Sequence, residues 1–418
     1  MNLDGFALPV KKLKGTDPVE TLDLSRKSLG VASAVVIASL FGVNGLLTVT
    51  NLLHNELDAE AAKMLAEVAK QKGISLCGIQ RDKTTADFSK QSLNPSDAML
   101  LASDLSQAVV TGGLTSLDLS INSLFGVNVY GGTYTAEGIT AIADALRVNG
   151  ALTKIDVRWN IFGPEGAKVF ADALRVNGGL TVINLSGNQL CGIWTDWRGQ
   201  HGTYTAEGIN AIADALRVNV GLTALDLSSN NLKDEGVSAV CEAIQSNKET
   251  KLASLNMGKN RIGSVGAKSV AAMVAVTVGL TATNLLGNWL DVESAKMLAE
   301  VAKQKGISLC GIQRDQTIAD FSYQNLKLPD AILLASDLSQ AIVTGALTVA
   351  NLLSNQLNMK SAKMLAEVAK QKGISLCGIK RDQTTADFSD QGLKPPDAIL
   401  LASDLSQAVV TGGLAKIK

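Results

Sequence analysis

Apolar residues recur along this chain in two alternating rhythms. Stretches such as LTSLDLSINSL from Leu114, LTVINLSGNQL from Leu180 and LTALDLSSNNL from Leu222 share the pattern L-x-x-L-x-L-x-x-N-x-L. The alternation across positions four to six predicts a short β-strand with one apolar face. After each strand comes a stretch such as EGAKVFADALRVNGG, with apolar residues three and four apart, which predicts an amphipathic helix with glycine behind it as C-cap. Asn94 and Pro95 have the residue types of an N-cap and a first helical position.

The strand pattern returns as LASLNMGKNRI from Leu252 and LTATNLLGNWL from Leu280. Weaker copies start at Val19, Leu47, Lys83, Leu152, Gln316, Leu347 and Gln383, which makes twelve, with LAKIK as a truncated thirteenth. Start-to-start spacings are mostly 28 to 31 residues, or 36 where the string KGISLCGI is inserted. One strand and one helix cannot bury an apolar face alone, whereas stacked neighbours bury a continuous core. The ninth position is Asn in eight copies, Gln in three and Lys27 in the first. An amide there has the groups to bond with the backbone of the bend, where no strand ladder serves it.

This pattern resembles the leucine-rich repeats, and its long helical units are similar to the ribonuclease-inhibitor-like class. The resemblance covers essentially the whole chain. It implies an α/β solenoid, a horseshoe with parallel strands on the concave face and helices on the convex face. The expected organisation is an N-terminal cap over residues 1–18, drawing on Phe6, Leu8 and Val10, and twelve repeats over 19–413. Insertions project from the rim near 125–138 and 191–208, and the incomplete repeat occupies 414–418.

In such a repeat the consensus leucines point inward and the intervening strand residues point out of the concave side. Position five then forms a stripe of Asp and Asn that includes Asp87, Asp118, Asp156, Asp226, Asp320 and Asp387. It either keeps the open sheet face soluble or forms an acidic track for a basic partner. Positions seven and eight are variable, and in LTKIDVRWNIFG they are Arg158 and Trp159, both expected to face outward. The two insertions on either side carry Tyr130, Tyr134, Trp194, Trp197, Arg198 and Tyr204. Exposed Trp, Tyr and Arg dominate binding hot spots, so these residues form the expected partner-binding patch, with Trp289 and Tyr323 as further candidates. The alternative is that the rings only fold the insertions against each other.

Composition narrows the choice of partner. Thirty-eight basic and 39 acidic residues are mixed along the chain for a net charge of −1, so no basic stripe for nucleic acid is expected. The cysteines number five, and three of them repeat one position of SLCGI, which favours a reducing compartment over a disulfide framework. With no CxxC and two histidines, no metal site is expected. The N-terminus lacks the apolar run of a secretory signal, and LGVASAVVIASLFGV from Leu29 is too short to span a bilayer comfortably. That segment reads as the buried helix of the first repeat. An intracellular, cytoplasmic location without membrane insertion is expected.

Catalytic motifs fail on their spacing. RIGSVGAKS, from Arg261, lacks the second glycine before lysine that a phosphate-binding loop requires. His201 has Asp196 nearby in sequence but no implied nucleophile beside it. Blocks such as AKMLAEVAKQKGISLCGI recur nearly unchanged three times, which a scaffold tolerates and a catalytic centre of unlike residues does not. The expectation is a non-enzymatic protein-interaction scaffold without cofactor or small-molecule substrate. One alternative is an architectural subunit docking through its ends or convex helices, since the chain stops partway into a strand. The other, implied by the resemblance, is a regulatory solenoid such as a GTPase-activating protein, with Arg198 or Arg26 near nucleotide, or a receptor sensing region.

Overall fold

The computed structural model describes residues 2–128, 131–196 and 199–418. The chain divides into two compact units, Met1–Leu225 and Asp226–Lys418, each built of strand–helix repeats with parallel strands in one layer and helices in the other. The first unit opens on an antiparallel hairpin, Asn2–Leu3 with Phe6–Ala7, and a short helix Val10–Lys14 that buries Leu13. Thr21–Asp23 then pairs in parallel with Val49–Asn51, and Thr85–Asp87, Ser116–Asp118, Lys154–Asp156 and Val182–Asn184 follow side by side in chain order. In the second unit the parallel pairs are Ser254–Asn256 with Ala282–Asn284, Ile318–Asp320 with Val349–Asn351, and Thr385–Ala386 with Lys416–Ile417.

Every pairing matches like motif positions, Lys154 with Ser116 and Asp156 with Asp118 for example, so the repeat itself sets the register. Positions four and six supply the strand side of the core. In the first unit Leu117, Ile155, Ile183, Leu119, Val157 and Leu185 are buried, as are Ile142, Leu146, Phe170 and Leu174 of the helices behind them. The second unit repeats the arrangement with Leu255, Met257, Leu285, Val240 and Val270. Asn94 caps the helix Pro95–Leu105 by accepting from the Asp97 amide, while Asp97 accepts from the Asn94 amide in return.

Two expectations need correction. The helix Val31–Val43 is amphipathic in position rather than buried: Ala34, Ile37 and Phe41 face the core, but Val31, Val35 and Val43 are exposed. The segment is apolar enough to mask that division in the sequence. Helices of the EGAKVFADALRVNGG kind are also not ended by glycine. Their C-cap is asparagine: Asn177 Oδ1 accepts from the amides of Gly179 and Leu180, and its Nδ2 donates to the carbonyls of Leu146 and Asn149 in the preceding repeat. Asn149 and Asn219 act the same way toward Leu105 and Leu174. The side chain serves both the helix end and its neighbour, which a glycine cannot do. Glycine keeps the capping role after the helices Ala59–Lys72, Val292–Lys305 and Met359–Lys372, where Gly73, Gly306 and Gly373 are left-handed.

The ninth motif position does what its amide suggests. Asn122 Oδ1 accepts from the amides of Gln91 and Leu93, and Nδ2 donates to the carbonyls of Phe88, Leu119 and Ser120. Asn55, Asn260 and Asn355 make equivalent bridges to the preceding repeat. The three glutamines differ, since Gln91, Gln324 and Gln391 turn back and donate to the carbonyl of their own strand's Asp87, Asp320 and Asp387. Asn122→Ala strips five bonds from buried backbone and is expected to cost roughly 3 kcal/mol or more. Gln91→Ala loses one exposed bond and should cost under about 1 kcal/mol. Urea unfolding of the two variants, followed by circular dichroism, checks the contrast.

Candidate partner-binding surface

The strand layer ends in a turn that is the same in every motif copy, all of them among the described residues. The position-five side chain, Asp or Asn, accepts a hydrogen bond from the amide of position seven at 2.8 to 3.3 Å in all twelve copies. This Asx turn leads into position eight, where φ lies between +54° and +70° in all twelve. The polar stripe is thus built into the bend, a role that residue type alone did not disclose. The Ser25 and Ser89 amides chiefly hold the Asp23 and Asp87 carboxyls below their ordinary range, as the Ser389 hydroxyl does for Asp387.

Asp118, Asp226 and Asp320 accept these same turn bonds. Asp156 differs from the rest in being buried. Arg158 lies over it, Nη1 to Oδ2 at 3.1 Å, and Asn184 donates to it from the next strand at 3.2 Å. Burial, the largest influence, raises the Asp156 carboxyl above the usual range; the Arg158 amide and charge oppose it, and Asp118 on the adjacent strand adds to it. An outward-facing aspartate was expected here, but the arginine covers it.

Trp159 occupies the left-handed position of its repeat and is 52% exposed. A left-handed conformation costs an L-residue about 1–2 kcal/mol, and a bulky side chain at such a position is a point of strain. Its indole rests on the next repeat: a methyl group added at Gly187, itself at φ +67°, would lie 2.5 Å from the indole Cδ2. Position eight of that next repeat is glycine, which leaves room for the ring. The Lys259 side chain lies over Gly287 in the same manner in the second unit.

The second insertion is an antiparallel hairpin, Ile193–Asp196 with Gly199–Gly202. Trp194 and His201 stand opposite each other on it with rings stacked at 4.3 Å and 23°, and Trp194 remains 39% exposed. The hairpin is rooted on the repeat of Trp159, since Gly192 at its base sits against Pro164. The first insertion is also a hairpin, Val127–Asn128 with Gly131–Gly132. Tyr134 behind it is the outer end of a row of stacked rings running through Phe125 and Phe162 to Phe170, and its hydroxyl donates to the Phe162 carbonyl at 3.3 Å. That contact anchors the insertion on the repeats themselves rather than on the other insertion. Tyr204 is half-buried. Tyr130, Trp197 and Arg198 lie outside the described residues.

Trp289 and Tyr323 belong to the second unit, where both are exposed. The Arg261 guanidinium sits 5.3 Å from the Trp289 ring centre, a cation–π distance. Tyr323 is left-handed like Trp159, and its amide donates to the Leu353 carbonyl. Arg158, Trp159 and the Trp194 hairpin therefore lie on one unit, and Trp289 and Tyr323 on the other. The sequence sets Asp196 near His201 without a nucleophile; the structure pairs His201 with Trp194, a partnership that the alternation across IWTDWRGQHG carries.

The strand faces and bends define an α/β repeat protein of parallel strands and helices. The family model for the leucine-rich repeat matches residues 151–171, 219–241 and 248–271, and the chain is a leucine-rich-repeat protein. Proteins of this family generally serve as protein-interaction scaffolds and are typically not enzymes. Among solved structures it is similar to the leucine-rich-repeat protein LegL7 from Legionella pneumophila, over 89% of this chain and 96% of that one, at 17% identity and a TM-score of 0.40. Leiomodin-1 actin-binding site 2 is similar over 41% of this chain and 90% of its own, at 16% identity and 0.31. The complex of TLR13 with ssRNA13 is similar over 82% of this chain and 43% of its own, at 15% identity and 0.32. No protein with a curated description matches the sequence. Among the described residues, no helix is long and apolar enough to cross a membrane.

Gly187→Ala is expected to push the Trp159 ring off its seat and to cost about 1–2 kcal/mol from the left-handed methyl. Comparing tryptophan emission of this variant with that of Gly187→Ala/Trp159→Phe isolates the displaced indole; an unchanged difference spectrum would show that the ring does not rest there.

Proposed function

We propose that this protein is a non-catalytic, intracellular interaction scaffold that holds a protein partner on the strand face and hairpin of its first unit. The observation that carries the reading is the pair of exposed indoles, Trp159 and Trp194, each held in place before any partner binds. Trp159 is fixed by a left-handed backbone and the Gly187 seat, and Trp194 by its stack on His201. Rings already ordered before binding lose little freedom on association, and Trp and Arg are the commonest hot-spot residues. Arg158 supplies a half-exposed cation beside them, already neutralised in part by Asp156. Beside Arg158, the carboxylates of Asp87 and Asp118 stand in register with Asp156 and offer acceptors to a partner's basic or amide groups. An intracellular site suits five cysteines that are all buried and form no disulfide among the described residues.

A second reading, an architectural subunit docking through its helices, draws on one observation. In the first unit the helix Pro95–Leu105 is sunk between its neighbours, beneath a trough of about 750 Å³ lined by Met99, Ala102, Ala141 and Val148.

Affinity purification from the native source separates the two. With a Trp159→Ala/Trp194→Ala variant beside wild type, the scaffold reading expects a partner to be lost with a drop of about 1,000-fold in affinity, the sum of two hot spots near 2 kcal/mol each. Circular dichroism confirms that the variant is folded. A partner retained by that variant but lost on Ala141→Glu, in the trough, would move the binding surface to the helices.

A further inference from the structure

Acidic and basic residues are mixed along most of this chain, with one exception in the second unit. From Lys251 to Leu290 the sequence carries Lys251, Lys259, Arg261 and Lys268 and neither aspartate nor glutamate, the longest stretch of the chain without an acid. It spans the parallel pair of strands Ser254–Asn256 and Ala282–Asn284 and the helix Ser264–Val276 between them. Position five is asparagine on both strands, Asn256 opposite Asn284, so the carboxylate stripe is interrupted where cations stand. Asp226, one copy earlier, already accepts from Asn256 Nδ2 at 2.9 Å. On the helix side the charge of Lys268 acts on Asp291.

The bends after these two strands hold the cations and an indole in fixed places. Lys259, left-handed at position eight, lays its stem along Gly287, position eight of the next copy. Its Cγ, Cε and Cδ stand 3.0, 3.7 and 3.9 Å from where a methyl on that glycine would be. The residue is exposed and makes no ion pair among the described residues. Two positions on, Arg261 is half-buried and sets its guanidinium 5.3 Å from the ring centre of Trp289, which is 66% exposed. Stacking orients the ring and leaves the guanidinium its charge. The Trp289 amide donates to the Ile262 carbonyl at 3.0 Å, which ties one bend to the other. On the strand face Asn284 Oδ1 accepts from the Leu286 amide, while Nδ2 makes no hydrogen bond among the described residues. Where Arg158 has Asp156 beneath it, the strands of Lys259 and Trp289 have amides at position five.

We propose that the bends of Lys259, Arg261 and Trp289 form a second docking surface, for a short acidic segment of a partner protein that sets carboxylates on the two cations and an apolar side chain on the exposed indole. It lies on the second unit and stands independently of the Trp159 and Trp194 surface. Charge complementarity carries the argument. The side-chain groups offered are two cations and the N–H donors of Asn284 and the indole, a set that a carboxylate matches and an amine does not. A nucleic acid fits less well, because a phosphate backbone calls for cations repeated along a track. Here the row of position eight continues as Ser229 on one side and as Tyr323, Ser354 and Asp390 on the other. Two cations on neighbouring positions of one bend suit a segment of a few residues instead. The lysine stem and the indole are placed before binding, so little freedom is lost on association.

Fluorescence anisotropy with the full chain tests this, using a labelled peptide of aspartate and glycine around one central phenylalanine. Its asparagine counterpart and a labelled oligouridine are measured beside it. The aspartate peptide is expected to bind at least about tenfold more tightly than the asparagine peptide, and to weaken as salt rises toward about 0.5 M. Lys259→Gln/Arg261→Gln should weaken it about tenfold or more, and Trp289→Ala by severalfold. Lys268→Gln, on the helix side, should leave it unchanged. So should Trp159→Ala/Trp194→Ala, which keeps the outcome separate from that of the first unit's surface. Circular dichroism confirms that each variant is folded; if the Arg261 change is not tolerated, Lys259→Glu at an exposed position carries the same expectation alone. The proposal is overturned if wild type binds both peptides equally or neither, or if the Lys259 variants bind as wild type does. Oligouridine bound more tightly than the aspartate peptide, and lost on the same substitutions, would overturn it in favour of a nucleic acid.

Discussion

Every repeat must turn its chain twice, once after the strand and once after the helix, and each turn leaves backbone groups that neither element can satisfy. Burying such a group without a partner costs about 1–3 kcal/mol, so the stack exists only where something reaches across from the neighbouring repeat. Asparagine does this at both turns. Asn122 and its equivalents bridge the strand ends, and Asn149, Asn177 and Asn219 bridge the helix ends. The apolar core supplies most of the driving force, but it is tolerant of exchange among Leu, Ile, Val and Met. The amides are what fix the spacing and register in which that core stacks.

The same constraint shapes the outer strand face. With the bend held by asparagine behind it, the chain leaves each strand through an Asx turn and enters position eight left-handed. Strain at that position is therefore a property of the repeat and is met by small, polar or glycine residues in most copies. Trp159 and Tyr323 are the aromatic exceptions. A large exposed ring at a strained position contributes little to folding, which is the physical ground for assigning it to recognition. Position eight of the next copy, Gly187, completes the seat, so orientation of the indole depends on two repeats together.

The twelvefold motif made strands, helices, register and the position-nine amides legible, because each is a local rule written twelve times over. What was not legible depends on partners distant in sequence. Asp104 is one residue in a helix whose pattern reads as ordinary, and only folding places it against Leu76 and Cys77. Asp156 looks like the six other aspartates of its stripe until Arg158 closes over it. Tyr134 and Trp194 sit in similar insertions, yet one ring ends a row that enters the core and the other stays outside on a histidine. The glycine expected behind helices of the EGAKVFADALRVNGG kind was misplaced for a related reason, since asparagine satisfies two repeats at once.

The internal duplications sort these features by kind. The block carrying KGISLCGI and its two-aspartate helix recurs three times almost unchanged, and each copy reproduces the same buried contacts. Duplication therefore spreads these contacts wherever it spreads the block, and they need no residue from outside it. The Trp159 surface has no such copy. Position eight of the other repeats is arginine, histidine, lysine, serine, isoleucine, aspartate, tyrosine or glycine, and the hairpin beside it differs from its counterpart in both tryptophans. Features that must work in every repeat are copied with it, whereas a surface that discriminates among partners has to differ from its neighbours. By that criterion the repeated block belongs to the build of the array, and the indoles of the first unit to the proposed binding surface.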